Sequence, residues 1–183
     1  MHPARLSVDD LLASCTLRAQ RRSGPGGQHR NKVETAIVIE HQPTGLRGEA
    51  SERRSQADNR RMAIHRLRLC LALEHRETPK STSPESTSPE FGGPESSQPE
   101  PVSPLWHSRV SGTRIDVSTE HEDFPAILAE LLDALQALAF DVAAASKHFA
   151  VTSSQLVNLL RSHPPALTLI NAKRTALGLH RLR

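Results

Sequence analysis

The chain has 183 residues, a formal net charge of +3 and an aromatic content of 3%. That length fits one or two small domains. Cys15 and Cys70 show no metal or disulfide spacing and no apolar run approaches the ~20 residues a bilayer requires; residues 1–14, with Asp9 and Asp10, lack a signal or transit pattern. Metal, disulfide-scaffold and membrane classes are therefore set aside, and a soluble, cytoplasmic, monomeric protein is expected. The charge is uneven: residues 1–76 hold 14 Lys/Arg against 8 Asp/Glu, residues 77–104 hold 1 against 5, and residues 105–183 hold 8 against 7. The basic first part reads as a footprint for a polyanion, most often nucleic acid; the alternative is a solvated surface with no partner.

In chain order, a short helix is expected over 7–14. Residues 15–20 roughly alternate and predict a strand, residues 35–41 are β-branched and predict a second, and residues 46–50 a third after the turn signal Gln42-Pro43-Thr44-Gly45. A long helix follows over about 54–75, with Met62, Ile64, Leu67, Leu69, Leu71 and Leu73 among Arg60, Arg61, Arg66 and Arg68. Some 60 residues bury only a marginal core, so residues 1–76 predict an α+β domain: a small three-stranded sheet with a helix packed on it. Residues 77–104 place Pro at 79, 84, 89, 94, 99 and 104, with repeated Pro-Glu endings and little to bury, and predict an acidic disordered linker. Residues 105–183 predict an all-α accessory domain. Trp106–Thr119 is ambiguous, with an extended piece over 114–117. Helices are expected over 125–139, from the cap Asp141 through Phe149, over 153–162, and from Pro164 and Pro165 to a close at Gly178.

Between the first two strands lies Ser23-Gly24-Pro25-Gly26-Gly27-Gln28-His29-Arg30-Asn31-Lys32. Ester hydrolysis needs a water near the carbonyl carbon and a donor for the developing oxyanion, one such donor being worth roughly 3–4 kcal/mol. Gly26 and Gly27 let backbone approach an RNA-held ester and adopt φ values closed to other residues. Gln28 offers a backbone N–H and a neutral amide able to orient water, where a charged side chain would carry a desolvation cost. No general base stands in the loop: His29 is adjacent but diverges, and a Ser23–His29 pair lacks a third member. Arg18, Arg21, Arg22, Arg30 and Lys32 surround the triplet with phosphate-directed charge. A glycine-rich hairpin loop without function is the alternative for the bare triplet. Neither metal nor cofactor is called for.

The stretch 23–32, followed by Glu34-Thr35-Ala36, Pro43-Thr44-Gly45 and Glu52-Arg53-Arg54-Ser55-Gln56-Ala57-Asp58-Asn59, closely resembles the catalytic domain of class I peptide-chain release factors over residues 15–75. That resemblance implies hydrolysis of the peptidyl-tRNA ester in the peptidyl-transferase centre, with the large-subunit rRNA and peptidyl-tRNA as partners. It implies that Gly26, Gly27 and Gln28 carry the activity, and that Gln28 is a candidate for N-methylation. His29, Arg53, Arg54 and Arg60 join the candidate RNA-binding residues, while residues 53–59 read first as a helix entry. The chain departs from full-length release factors in having no segment that fits a codon-reading domain. The closer comparison is therefore with shorter ribosome-rescue hydrolases, which often use a basic C-terminal tail. Here Lys173, Arg174, Arg181 and Arg183 make a weaker tail, equally explained by the dipole of a helix C-terminus. Asp141–Leu160 resembles a helix-turn-helix, for which a ribosome- or RNA-binding module, plain packing and sequence-specific DNA reading remain in that order. A non-catalytic ribosome- or RNA-binding protein is the competing class.

Overall fold

A computed structural model describes residues 2–21, 34–75 and 99–183; the loop residues 22–33 and most of the expected linker lie outside the described residues. The chain divides into two compact units, residues 1–75 with 120–129, and residues 76–119 with 130–183.

The first unit is α+β. A 3-10 turn, Pro3–Arg5, precedes helix α1, Val8–Ala13, whose cap Ser7 accepts from the Asp10 N–H at 3.2 Å. Strands β1 (Cys15–Gln20), β2 (Ala36–His41) and β3 (Arg47–Ala50) form an antiparallel sheet in the order β1-β2-β3. Each lies within a residue of its expected bounds, because alternation and the turn signal both mark it. Leu17 opposes Ile39 and Ile39 opposes Gly48; Ala19 opposes Ile37 and Ile37 opposes Ala50. Directly opposed residues share a face, so these rows line one side of the sheet, while Arg18, Val38 and Glu49 line the other. In the β2–β3 turn, Gly45 adopts φ +71° and donates its N–H to His41 O at 2.8 Å.

Helix α2, Gln56–Glu74, covers the first face. Its buried stripe runs through Ala63, Ile64, Leu67, Leu71 and Ala72, all at most 8% exposed. Leu69 and Leu73 are only half-buried, since every second residue of a helix cannot stay on one face. Sheet and helix approach closely at Gly48, where a Cβ would stand 2.2 Å from Ala63 O and 2.7 Å from Leu67 Cβ. Arg68, one of the basic residues of this helix, is buried and faces inward. Its Nε and Nη2 donate to Ala4 O at 3.1 and 2.9 Å, and its Nη1 to Glu122 O at 2.7 Å.

The second unit is mainly helical, and the all-α expectation needs one correction. Helix α3, Pro104–Ser108, is followed by a hairpin of β4 (Val110–Ser111) and β5 (Arg114–Ile115) around Gly112, φ +61°. Two-residue strands are too short to leave a period in the sequence. Trp106 is fully buried and stacks on Phe149 with ring centroids 4.0 Å apart. Ser103 caps α3, and its N–H and hydroxyl donate to the buried Glu130 carboxylate at 2.7 and 2.6 Å. Helix α4 spans Phe124–Ala137, its residues 124–129 belonging to the first unit; α5 spans Val142–His148, α6 Ser153–Ser162 and α7 Pro164–Ala176. Asp141 and Thr152 cap α5 and α6, and Gly178, φ +72°, follows the C-terminus of α7.

Candidate functional site

The described residues include both flanks of segment 22–33. β1 and β2 end with Gln20 opposite Ala36. Just beyond that pair, Arg21 Nε lies 3.4 Å from Glu34 Oε1, both side chains being mostly exposed, so screening leaves this ion pair little weight alone. The returning root is held more firmly. Gln56 Nε2 donates to Glu34 O at 2.9 Å, and Asn59 Nδ2 donates to Thr35 O at 2.7 Å.

Asn59 is fully buried and does more than hold Thr35. Its Nδ2 also donates to Arg53 O at 2.9 Å, and its Oδ1 accepts from Arg53 N–H at 2.9 Å. A single side chain thus fastens the loop root and the segment ahead of α2 to the first turns of that helix. Ser55 supplies the N-cap by accepting from the Asp58 N–H. The reading of residues 53–59 as a helix entry therefore holds. Glu52 is anchored by Arg66, whose Nη2 sits 2.5 Å from its carboxylate while Nη1 donates to Glu49 O at 2.7 Å; the Arg66 hydrogen bond to the Glu52 carboxylate holds that carboxyl below the usual range.

Arg18 stands exposed on the face of β1 turned away from α2, and Arg21 at the loop root. Arg53 and Arg54 are exposed on the turn before α2, with Asp58 bound to Arg61 beside them. Arg60 is exposed on α2 and, with Leu17, Ile37, Gln56 and Ala57, lines a shallow hollow on the first unit. Arg22, Gly26, Gly27, Gln28, His29, Arg30 and Lys32 lie outside the described residues. Arg21 is thus brought to the loop root, while Arg18 is on the opposite face of the sheet from Arg60. Gln56 and Asn59 are the functional candidates that inspection of the sequence left without a role. The available signal was their place in the same extended motif as Glu34-Thr35.

Other groups with reactive chemistry are quiet. Cys15 and Cys70 are free thiols, half-buried, and burial pushes both above the ordinary thiol value. His41 is buried, its Nδ1 2.8 Å from Thr44 Oγ1, and burial followed by the nearby His75 lowers it below the usual imidazole value. Among the described residues no group of three His, Cys, Asp or Glu could hold a metal ion, and no helix is long and apolar enough to cross a membrane.

Residues 10–98 match the family model of the RF-1 domain. The chain is 45% identical over 58 residues to peptide chain release factor 1-like, mitochondrial, of Mus musculus, covering 32% of this chain and 16% of that protein. It is 40% identical over 83 residues to peptide chain release factor 1 of Xylella fastidiosa, covering 45% and 20%. It is 44% identical over 59 residues to peptide chain release factor 1 of Geobacter sulfurreducens, covering 32% and 17%. The chain therefore spans a fifth or less of the length of these relatives. No solved structure matches it.

Proposed function

We propose that this chain hydrolyses the ester of peptidyl-tRNA on the ribosome, because residues 10–98 match the RF-1 domain of the class I release factors. The single observation that carries the reading is the triplet Gly26-Gly27-Gln28 inside the matched residues, on a loop whose return is fastened through Glu34 and Thr35. Gly26 and Gly27 admit the backbone to the ester. The Gln28 N–H stabilises the oxyanion and its amide orients water, so a proton passes from water to the ribose leaving oxygen with no side-chain base required. Arg18, Arg21, Arg22, His29, Arg30, Lys32, Arg53, Arg54 and Arg60 contact rRNA or tRNA phosphates. Gln28 is a candidate for N-methylation, which would keep its backbone donor.

We further infer that release acts on stalled complexes without codon recognition, as in the shorter ribosome-rescue hydrolases that residues 15–75 resemble. The test is release of labelled peptide from ribosomes carrying peptidyl-tRNA, with and without a stop codon in the A site. Equal release in both arms is expected. A Gln28→Pro variant, which removes the backbone N–H, is expected to lose about 10²–10³ in rate, the range for removing one oxyanion donor, and Gly27→Ala, which adds a Cβ where the backbone must approach the ester, is expected to slow release as well. Release confined to the stop-codon arm would overturn the rescue reading, and wild-type rates in both variants would remove the loop from catalysis.

A further inference from the structure

Residues 105–183 are nearly neutral as a whole, but their charge is divided at Asp141. Residues 105–141 hold two arginines and seven acids, whereas residues 142–183 hold six Lys/Arg, three histidines and no Asp or Glu. The acid-free stretch includes helices α5, α6 and α7 and the segment after them. That last segment is not a loose tail. Leu182 N–H donates to Asn171 Oδ1 at 2.7 Å, and Asn171 Nδ2 donates to Leu182 O at 3.1 Å, from a side chain only 6% exposed. Arg174 donates through Nε to His180 O at 2.8 Å and through Nη1 to Phe140 O. The segment therefore runs back along α7, with His180 beside Arg174 and Leu182 beside Asn171. Backbone groups of residues 180 and 182 face the helix. Leu182 is half-buried, while Arg181 and Arg183 are exposed.

We propose that residues 142–183 form an RNA-binding surface on which Asn171 and Arg174 clamp the 178–183 segment, presenting Arg181 and Arg183 to the phosphate backbone. A held segment loses less conformational freedom on binding than a loose one, so each cation contributes more. Two of the four residues counted above as a basic tail thus divide the work: Arg174 is consumed internally, and Arg181 is displayed. Sequence-specific DNA reading is disfavoured by α6. In helix-turn-helix readers the N-terminal residues of the second helix reach base edges. In α6 these are Ser153, Ser154 and Gln155, and Gln155 Oε1 accepts from Ile115 N–H at 3.3 Å; Arg161 lies at the far end. RNA rather than DNA follows from the ribosomal function proposed above, and binding is measured apart from peptide release, so the failure of one is distinguishable from the failure of the other.

The test is a salt titration of full-chain binding to an rRNA stem-loop and to a DNA duplex of equal length. The Arg181→Ala/Arg183→Ala double variant, altered only at exposed positions, is expected to reduce the slope of log affinity against log salt by about 1.4–1.8 for RNA, two phosphate contacts' worth. Leu182→Pro removes the N–H held by Asn171 and is expected to weaken RNA binding towards the level of that double variant, with the melting temperature of the full chain preserved. An unchanged slope in the double variant would overturn the surface. Wild-type affinity in Leu182→Pro would overturn the clamp, since a loose tail would not need that bond. Tighter binding to the DNA duplex would overturn the choice of RNA.

Discussion

Asn59 has two amide donors and one acceptor engaged by backbone groups of Thr35 and Arg53, with no exposure to water. Truncating it leaves those backbone groups without their partner, at about 1–3 kcal/mol for a buried unsatisfied group. Gln56 makes a single bond to Glu34 O in an exposed setting, worth about 0.5–1.5 kcal/mol at most. The two substitutions should therefore separate stability from activity. Asn59→Ala is expected to lower denaturant stability and slow peptide release. Gln56→Ala is expected to slow release while leaving the unfolding midpoint nearly unchanged. Equilibrium unfolding and single-turnover release on the same preparations check both, and full activity in Gln56→Ala would show that the Glu34 anchor is irrelevant to catalysis. Neither role was legible in the sequence, although both residues stood in view. The bonds join positions 22 and 24 apart through backbone carbonyls, and a carbonyl carries no residue identity for a sequence pattern to match.

Among the elements, those whose burial follows a period were legible and those fixed by one close contact were not. β2 alternates, α2 carries a stripe, and Asp141 caps α5 as expected. Gly48 left no such trace, and of the β4–β5 hairpin only the extended piece at 114–117 was legible. Gly48 sits within a short strand where a glycine reads as a weakness, yet the backbone of α2 occupies the space its side chain would need. A Cβ 2.2 Å from Ala63 O and 2.5 Å from Leu67 N meets backbone on both sides, so no rotamer change relieves it. Gly48→Ala is expected to move β3 from α2 and cost about 1–3 kcal/mol, the range for overpacking a close-packed core. Thermal unfolding of the variant measures this. A melting temperature at or above wild type would mean that the sheet and helix separate at no cost.

For the whole molecule, composition marks the acidic stretch over 77–104 sharply, but it does not mark where the chain returns. Residues 120–129 pack with residues 1–75, and nothing in their sequence distinguishes them from the helical residues that follow. The physical tie is specific. Glu122 O takes the Nη1 donor of a buried Arg68, and Ala129 is fully buried in the cluster that contains Leu67 and Leu71. Burial already disfavours the guanidinium charge, and the neighbouring Asp123 and Glu122 work against that penalty. A fragment cut after residue 76 keeps Ala4 O for Arg68 but removes Glu122 O and both carboxylates. The orphaned N–H alone is worth about 1–3 kcal/mol, more when it belongs to a charged group. The fragment is therefore expected to be less stable than the same unit within the full chain. Native-state hydrogen exchange resolves the comparison, because the Ile39 and Leu71 amides lie deep in this unit and report its opening. Lower protection in the fragment at both amides is the expected result. Equal protection would mean that residues 120–129 contribute nothing to the unit they pack against, and that the release-factor-like part is complete by residue 76.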